Sequence, residues 1–220
     1  DPDVTIKKSA QSGKSFIETL DDGRVRFNFD VTVSTTNGTV DPVTIVDKLN
    51  FGNTDNGLYL ADCVYDADSI QLYRVAANGA MTLQDLSTLK YELKNGTSDK
   101  PRTITLTDLP ALDAGEKYLL RYSVLLPQTG FGTVEENPNG TAQLRNRAEV
   151  TSGTLKNGWS EKATMNRQRI QKKAELDADT GLITWTITVQ TPSTGVNGNF
   201  LKGYVVKDLV PDGVEIVGNV

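Results

Sequence analysis

The chain has 220 residues, no histidine, one cysteine and 23 basic against 28 acidic side chains, for a net charge of −5. Without histidine there is no Ser-His-Asp triad, Cys-His dyad or His-ligated zinc, and Cys63 alone closes no intrachain disulfide and builds no CxxC metal site. Mild acidity leaves no footprint for nucleic acid or anionic membranes, no stretch reaches the length of a membrane span, and no cofactor is called for.

The 26 Thr, 20 Val and 9 Ile make up a quarter of the sequence, which favours pleated, half-buried strands and an all-β fold. In chain order, Val4 to Ser9 alternates apolar and polar. Val25, Phe27, Phe29, Val31 and Val33 then share one face, with Arg26, Asn28, Asp30 and Thr32 on the other. Val43 to Leu49 alternates too, and the polar Asn50 to Asp68 segment reads as an insertion loop. Ser69 to Val75 is the next strand, Leu83 to Leu93 the one short helix, and further strands are expected at Thr103 to Thr107, Tyr118 to Leu126, Ala142 to Thr151 and Trp159 to Met165. Seven Asn-Gly pairs, beginning at Asn37, Asn56, Asn78, Asn95, Asn139, Asn157 and Asn197, supply the positive-φ positions of tight hairpin turns. Eight short strands with such turns predict an antiparallel β-sandwich.

An internal repeat divides the chain. Ile6-Lys7-Lys8, the Gly23-led amphipathic strand and Val43-Thr-Ile-Val-Asp47 return as Gln171-Lys172-Lys173, a Gly181-led strand and Tyr204-Val-Val-Lys-Asp208. The expectation is one complete sandwich over residues 1–167 and the N-terminal part of a similar second domain over residues 168–220, since a sandwich needs about seven strands.

Three polar residues fall on faces that alternation assigns to the core. Lys8 shares a face with Val4 and Ile6, Asp47 with Val43 and Ile45, and Asn146 with Leu144, Ala148 and Val150. Buried polar groups are costly unless they satisfy one another. The residues alone leave two readings open: a hydrogen-bonded Lys-Asp-Asn cluster in the core, or edge positions with a snorkelling lysine. A slip of one residue would turn Lys7 inward instead of Lys8.

The segments Val4-Thr-Ile-Lys-Lys8, Gly23 to Val33, Val43-Thr-Ile-Val-Asp47-Lys-Leu, Leu112-Asp-Ala-Gly-Glu-Lys-Tyr118 with Arg121-Tyr-Ser-Val, and Asn146-Arg-Ala-Glu-Val-Thr151 together resemble the Ig-like, CnaA-type domains of Gram-positive cell-wall-anchored adhesins and pilin subunits. The resemblance implies a structural or adhesive module on the extracellular bacterial surface, with a host matrix protein or glycan as the class of partner. It also implies a spontaneous isopeptide bond, with Lys8 as nucleophile, Asn146 as acceptor and Asp47 as the assisting acid. Lys173 and Asp208 would be the second-domain counterparts of Lys8 and Asp47. Burial supports such chemistry, because it pushes lysine toward the neutral amine and a carboxyl toward its protonated form. The reaction runs once per molecule, so the protein is not an enzyme in the usual sense. The different-class alternative is a carbohydrate- or matrix-binding sandwich using the Asn50 to Asp68 and Ala76 to Lys100 insertions.

The weaker signals have plainer readings. Leu126-Pro-Gln-Thr-Gly130 has the form of a sortase signal but lies mid-chain, and reads as a strand end and turn. Cys63 reads as a small buried thiol. Asp177-Ala-Asp179-Thr-Gly181 has Thr188 where a calcium loop places a bidentate Glu, and so reads as a hairpin turn. Adjacent Glu135 and Glu136 point apart on an extended backbone and form no glycosidase pair. Trp185 alternates with Ile183 and Ile187 and reads as core, while Trp159 is left open as a ligand-facing ring.

Overall fold

A computed structural model of the chain describes residues 2–20, 24–49, 58–59, 63–99, 101–126, 141–166, 169–190, 205–209, 212–213, 215 and 217. Among these residues the strands are β1 (Thr5–Ala10), β2 (Ile17–Thr19), β3 (Val25–Ser34), β4 (Val43–Leu49), β5 (Leu58–Tyr59), β6 (Val64–Val75), β7 (Met81–Leu83), β8 (Lys90–Lys94), β9 (Thr103–Leu109), β10 (Lys117–Leu126), β11 (Thr141–Ser152), β12 (Leu155–Asn166), β13 (Arg169–Leu176) and β14 (Ile183–Gln190).

Sheet I runs β1-β3-β10-β6-β7, with β2 also on β3. Sheet II runs β12-β11-β4-β9-β8, with β5 also on β11. Apart from the short parallel β5 pairing, every ladder among the described residues is antiparallel, and the two sheets close on one apolar core as an all-β sandwich. Period-2 alternation explains the packing: Val25, Phe27, Phe29, Val31 and Val33 on β3 and Val43, Ile45 and Leu49 on β4 are all buried. β13 and β14 form a separate two-stranded ladder.

Three local expectations are corrected. The Leu83 to Leu93 segment is not a helix: a single 3₁₀ turn, Leu86–Thr88, is capped by Asp85, whose carboxylate accepts from Ser87 N at 2.9 Å. Beyond it the alternating Lys90–Lys94 run pairs with β9 instead. Its Tyr91 and Leu93 pack against the core, so the period of two wins over helix propensity. The expected Asn50 to Asp68 loop ends early, because Val64 to Asp68 already belongs to β6; residues 50–57 and 60–62 lie outside the described residues. Asn157-Gly158 is no turn, since it lies inside β12 opposite Val150 and Glu149. The β11–β12 turn falls instead at Gly153, with φ +55°, and a Cβ at Gly158 would meet the Arg147 guanidinium at 2.7 Å. Asn78-Gly79 does form a tight turn, with Gly79 at φ +86°.

Candidate functional site

The strand registers bring Lys8, Asp47 and Asn146 to one point between the sheets. On β1, Val4, Ile6 and Lys8 turn inward while Lys7 is exposed, and Lys8 stands opposite Val31 of β3. On sheet II, Asp47 faces Ala148, and Asn146 lies two residues along β11 on the same face, a diagonal neighbour of Asp47. Lys8 and Asn146 are each 1% exposed and Asp47 is 0% exposed, so the cluster is closed to water.

Hydrogen bonds join the three, directly and through Tyr122, with Tyr65 on the aspartate. Lys8 Nζ donates to Asp47 Oδ2 and to the Tyr122 hydroxyl. Tyr65 donates its hydroxyl to Asp47 Oδ1 at 2.7 Å, and Asn146 Nδ2 donates to the Tyr122 hydroxyl at 2.8 Å. The ammonium also lies 4.8 Å from the Phe29 ring centre and 4.9 Å from that of Tyr122. Asn146 Oδ1 is buried with no hydrogen-bond partner. An unpaired buried carbonyl oxygen costs about 1–3 kcal/mol, so its presence within an otherwise satisfied cluster asks for a chemical reason.

Burial dominates the electrostatics. It pushes the Lys8 ammonium down to about 8, while the Asp47 charge and hydrogen bond, and more weakly Glu161, pull the other way. Burial first, and then the Asp47 charge, holds the Tyr65 and Tyr122 phenols well above their usual range. The site therefore combines an amine that loses its proton early with two phenols that keep theirs. Neutral amine, amide carbon and nearby proton carriers are the groups that amide exchange needs.

The tyrosines were not among the residues singled out from sequence. Tyr122 shares an inward face with Tyr118, Leu120 and Val124 and looks like ordinary core, while Tyr65 falls in the segment read as a loop. The available signal was chemical: a buried phenol needs a partner, and Lys8, Asp47 and Asn146 were the polar groups waiting for one. Glu161, cross-strand from Asn146, stands half-buried beside Trp159, whose indole N–H donates to Glu161 Oε2 at 3.4 Å.

The second copy is arranged differently from the alignment. Lys172, not Lys173, pairs with Asp208, at 2.6 Å, and lies 4.3 Å from the Trp185 ring centre. Lys173 pairs with Glu175 on the opposite face of β13. Trp185 is 47% exposed rather than core, because among the described residues no second sheet packs on the β13–β14 hairpin. Trp159 is 42% exposed, and Cys63 is buried. Asp177 makes a hairpin turn, accepting from Asp179 N and Thr180 N. Among the described residues no group of three His, Cys, Asp or Glu is placed to hold a metal, and no helix is long and apolar enough to cross a membrane. The segment after Leu126 in Leu126-Pro-Gln-Thr-Gly130, and the pair Glu135 and Glu136, lie outside the described residues.

No protein-family model and no curated protein matches the chain. Among solved structures it is similar to the collagen-binding subdomain of the Enterococcus faecalis surface protein ACE, at 13% identity and TM-score 0.36, over 72% of this chain and 92% of that one. It is also similar to BcpA, the major pilin subunit of Bacillus cereus, at 12% identity and TM-score 0.39, over 86% of this chain and 53% of that one. The collagen-binding domain of the Erysipelothrix rhusiopathiae surface protein RspB matches at 7% identity and TM-score 0.34, over 74% of this chain and 49% of that one. Similarity this loose leaves the function to be read from the side chains.

Proposed function

We propose that this chain is a load-bearing structural or adhesive module of a bacterial surface protein, locked by an isopeptide bond between Lys8 and Asn146. The observation that carries the reading is the closed cluster in which Lys8 and Asn146 meet on one tyrosine hydroxyl, with Asp47 on the lysine and an unpartnered carbonyl oxygen on the asparagine. Neutral Lys8 attacks Cγ of Asn146, the Cγ–Nδ2 bond breaks and ammonia leaves. Asp47 draws the lysine into place and serves as the assisting acid.

Geometry gives the bond a mechanical purpose. Lys8 belongs to sheet I and Asn146 to sheet II, so the bond would staple one sheet to the other. It would close a loop of 139 residues, worth about 5 kcal/mol by the chain-entropy relation for cross-links. Force entering along β1 and leaving along β11 would pass through a covalent bond rather than unzip a ladder. With one buried cysteine, the sandwich gets no such staple from sulfur. The internal repeat supports reading residues 168–220 as a related second unit.

Intact-mass measurement of the folded chain tests the reading. A mass one ammonia below that of the sequence, restored to the full value in Lys8→Ala, is expected; an unmodified mass in the folded wild type overturns it.

A further inference from the structure

Making the isopeptide bond moves one proton as well as forming one bond. Lys8 Nζ starts as a neutral amine and ends as an amide N–H, so it gives up a proton. Asn146 Nδ2 starts as an amide NH₂ and leaves as ammonia, so it gains one. The C–N bond formed replaces the C–N bond broken, nothing is oxidised or reduced, and no water is consumed. The open question is what carries the proton between the two nitrogens.

Asp47 is badly placed to do it alone. Its Oδ1 accepts from Tyr65, its Oδ2 accepts from Lys8, and the hydrogen bond that reaches Asn146 comes from elsewhere. The Tyr122 hydroxyl oxygen is the atom in contact with both reacting nitrogens, Lys8 Nζ on one side and Asn146 Nδ2 on the other. The ring is fixed by packing, stacked on Phe29 at 5.7 Å and set edge-on to Tyr65 at 5.4 Å between ring centres. Resting on the isopeptide reading above, we infer that Tyr122 is a catalytic residue, the proton carrier between Lys8 and Asn146.

As Nζ adds to Cγ, Nδ2 becomes tetrahedral and basic. Tyr122 then passes its hydroxyl proton to Nδ2 and takes one from Nζ, leaving the phenol as it began. Burial, which keeps the phenol protonated, suits it to the task. Other charged and titratable groups surround the lysine: Asp47 from β4, Tyr65 from β6 and Glu161 from β12. None of them touches Nδ2.

The test follows cross-linking of the full chain in time after cell-free synthesis, by intact mass, across a range of pH. Tyr122→Phe keeps the ring and removes only the hydroxyl. It is expected to slow ammonia loss at least tenfold, and its residual rate should keep rising with pH as hydroxide admitted to the space left by the missing hydroxyl takes over the transfer, whereas the wild-type rate levels off. A purely structural role would lower the rate equally at every pH. Wild-type speed in Tyr122→Phe, or profiles that run parallel, overturns the assignment while leaving the isopeptide reading intact. A wild type that never loses ammonia overturns both. Should Tyr122→Phe fail to fold, 3-fluorotyrosine at position 122 keeps size and hydroxyl but ionises more readily. The plateau should then give way to a fall in rate, as the phenol ionises, at lower pH than in the wild type, and a profile that does not move overturns the assignment.

Discussion

Two lysine–aspartate pairs stand over aromatic rings in this chain, in opposite surroundings. Lys8 and Asp47 are sealed between two sheets with Phe29 beneath the ammonium, while Lys172 and Asp208 lie on an open hairpin over Trp185, with side chains 33% and 37% exposed. The repeated sequence reproduces the local contacts, cation on carboxylate and cation on ring. It does not reproduce burial, because burial comes from the sheet that packs across. In water the second pair is screened and holds little energy, whereas the first is stripped of solvent and its amine is driven toward the neutral form. The neutral amine is thus a property of closing the sandwich, not of the residue types.

The largest effect that would break this contrast comes from Asp47→Ala. It removes the acid and strands a buried lysine, so the mass should carry no ammonia loss. Urea unfolding should show a deficit of more than about 5 kcal/mol, combining the lost staple with an uncompensated buried charge. Asn146→Ala is next: it loses the staple but keeps the Lys8–Asp47 pair, and stability should fall by about 5 kcal/mol relative to the cross-linked chain.

Asn146→Ala should also expose a pH dependence that the proposed cross-link would hide. Burial brings the Lys8 ammonium in the folded chain down to about 8, against 10.5 for an unburied lysine. A lysine with a lowered folded pKa costs stability while it stays charged, and the cost is relieved as pH rises from the folded toward the unfolded value. Stability of this variant should therefore climb between pH 8 and about 10, by up to about 3 kcal/mol. Above that range the buried Tyr65 and Tyr122, held protonated while their unfolded counterparts ionise, reverse the trend. Urea titrations at stepped pH check it, and a flat profile would remove the basis for a reactive amine. The smallest effect is expected at the second pair: Lys172→Ala should change stability by less than about 1 kcal/mol and leave the mass loss of the first site untouched.

Much of this site was legible because strands have a period of two. That period alone set Lys8, Asp47 and Asn146 on inward faces and Lys7 outward once the register held. It could not show which groups meet across the sandwich. Tyr122 and Tyr65 come from β10 and β6 on sheet I and meet Asp47 and Asn146 across the core, and a tyrosine among alternating apolar residues looks the same whether its hydroxyl finds solvent or a buried partner. The same limit explains Lys172: aligning Lys173 with Lys8 matches letters, but the β13 register puts Lys172 on the face of Trp185. Leu83 to Leu93 misled for a related reason, since one capped 3₁₀ turn followed by a strand carries enough leucine spacing to imitate a helix.

The most direct measurement is a tandem mass spectrum of a tryptic digest of the folded protein. Arg145 and Arg147 flank Asn146, and Lys7 and Lys14 bound the segment that holds Lys8. A branched species in which the Asn146-Arg147 dipeptide hangs from an uncut Lys8 to Lys14 peptide, lighter than its parts by one ammonia, is the predicted result. Cleavage after Lys8 with a free Asn146-Arg147 dipeptide would contradict it.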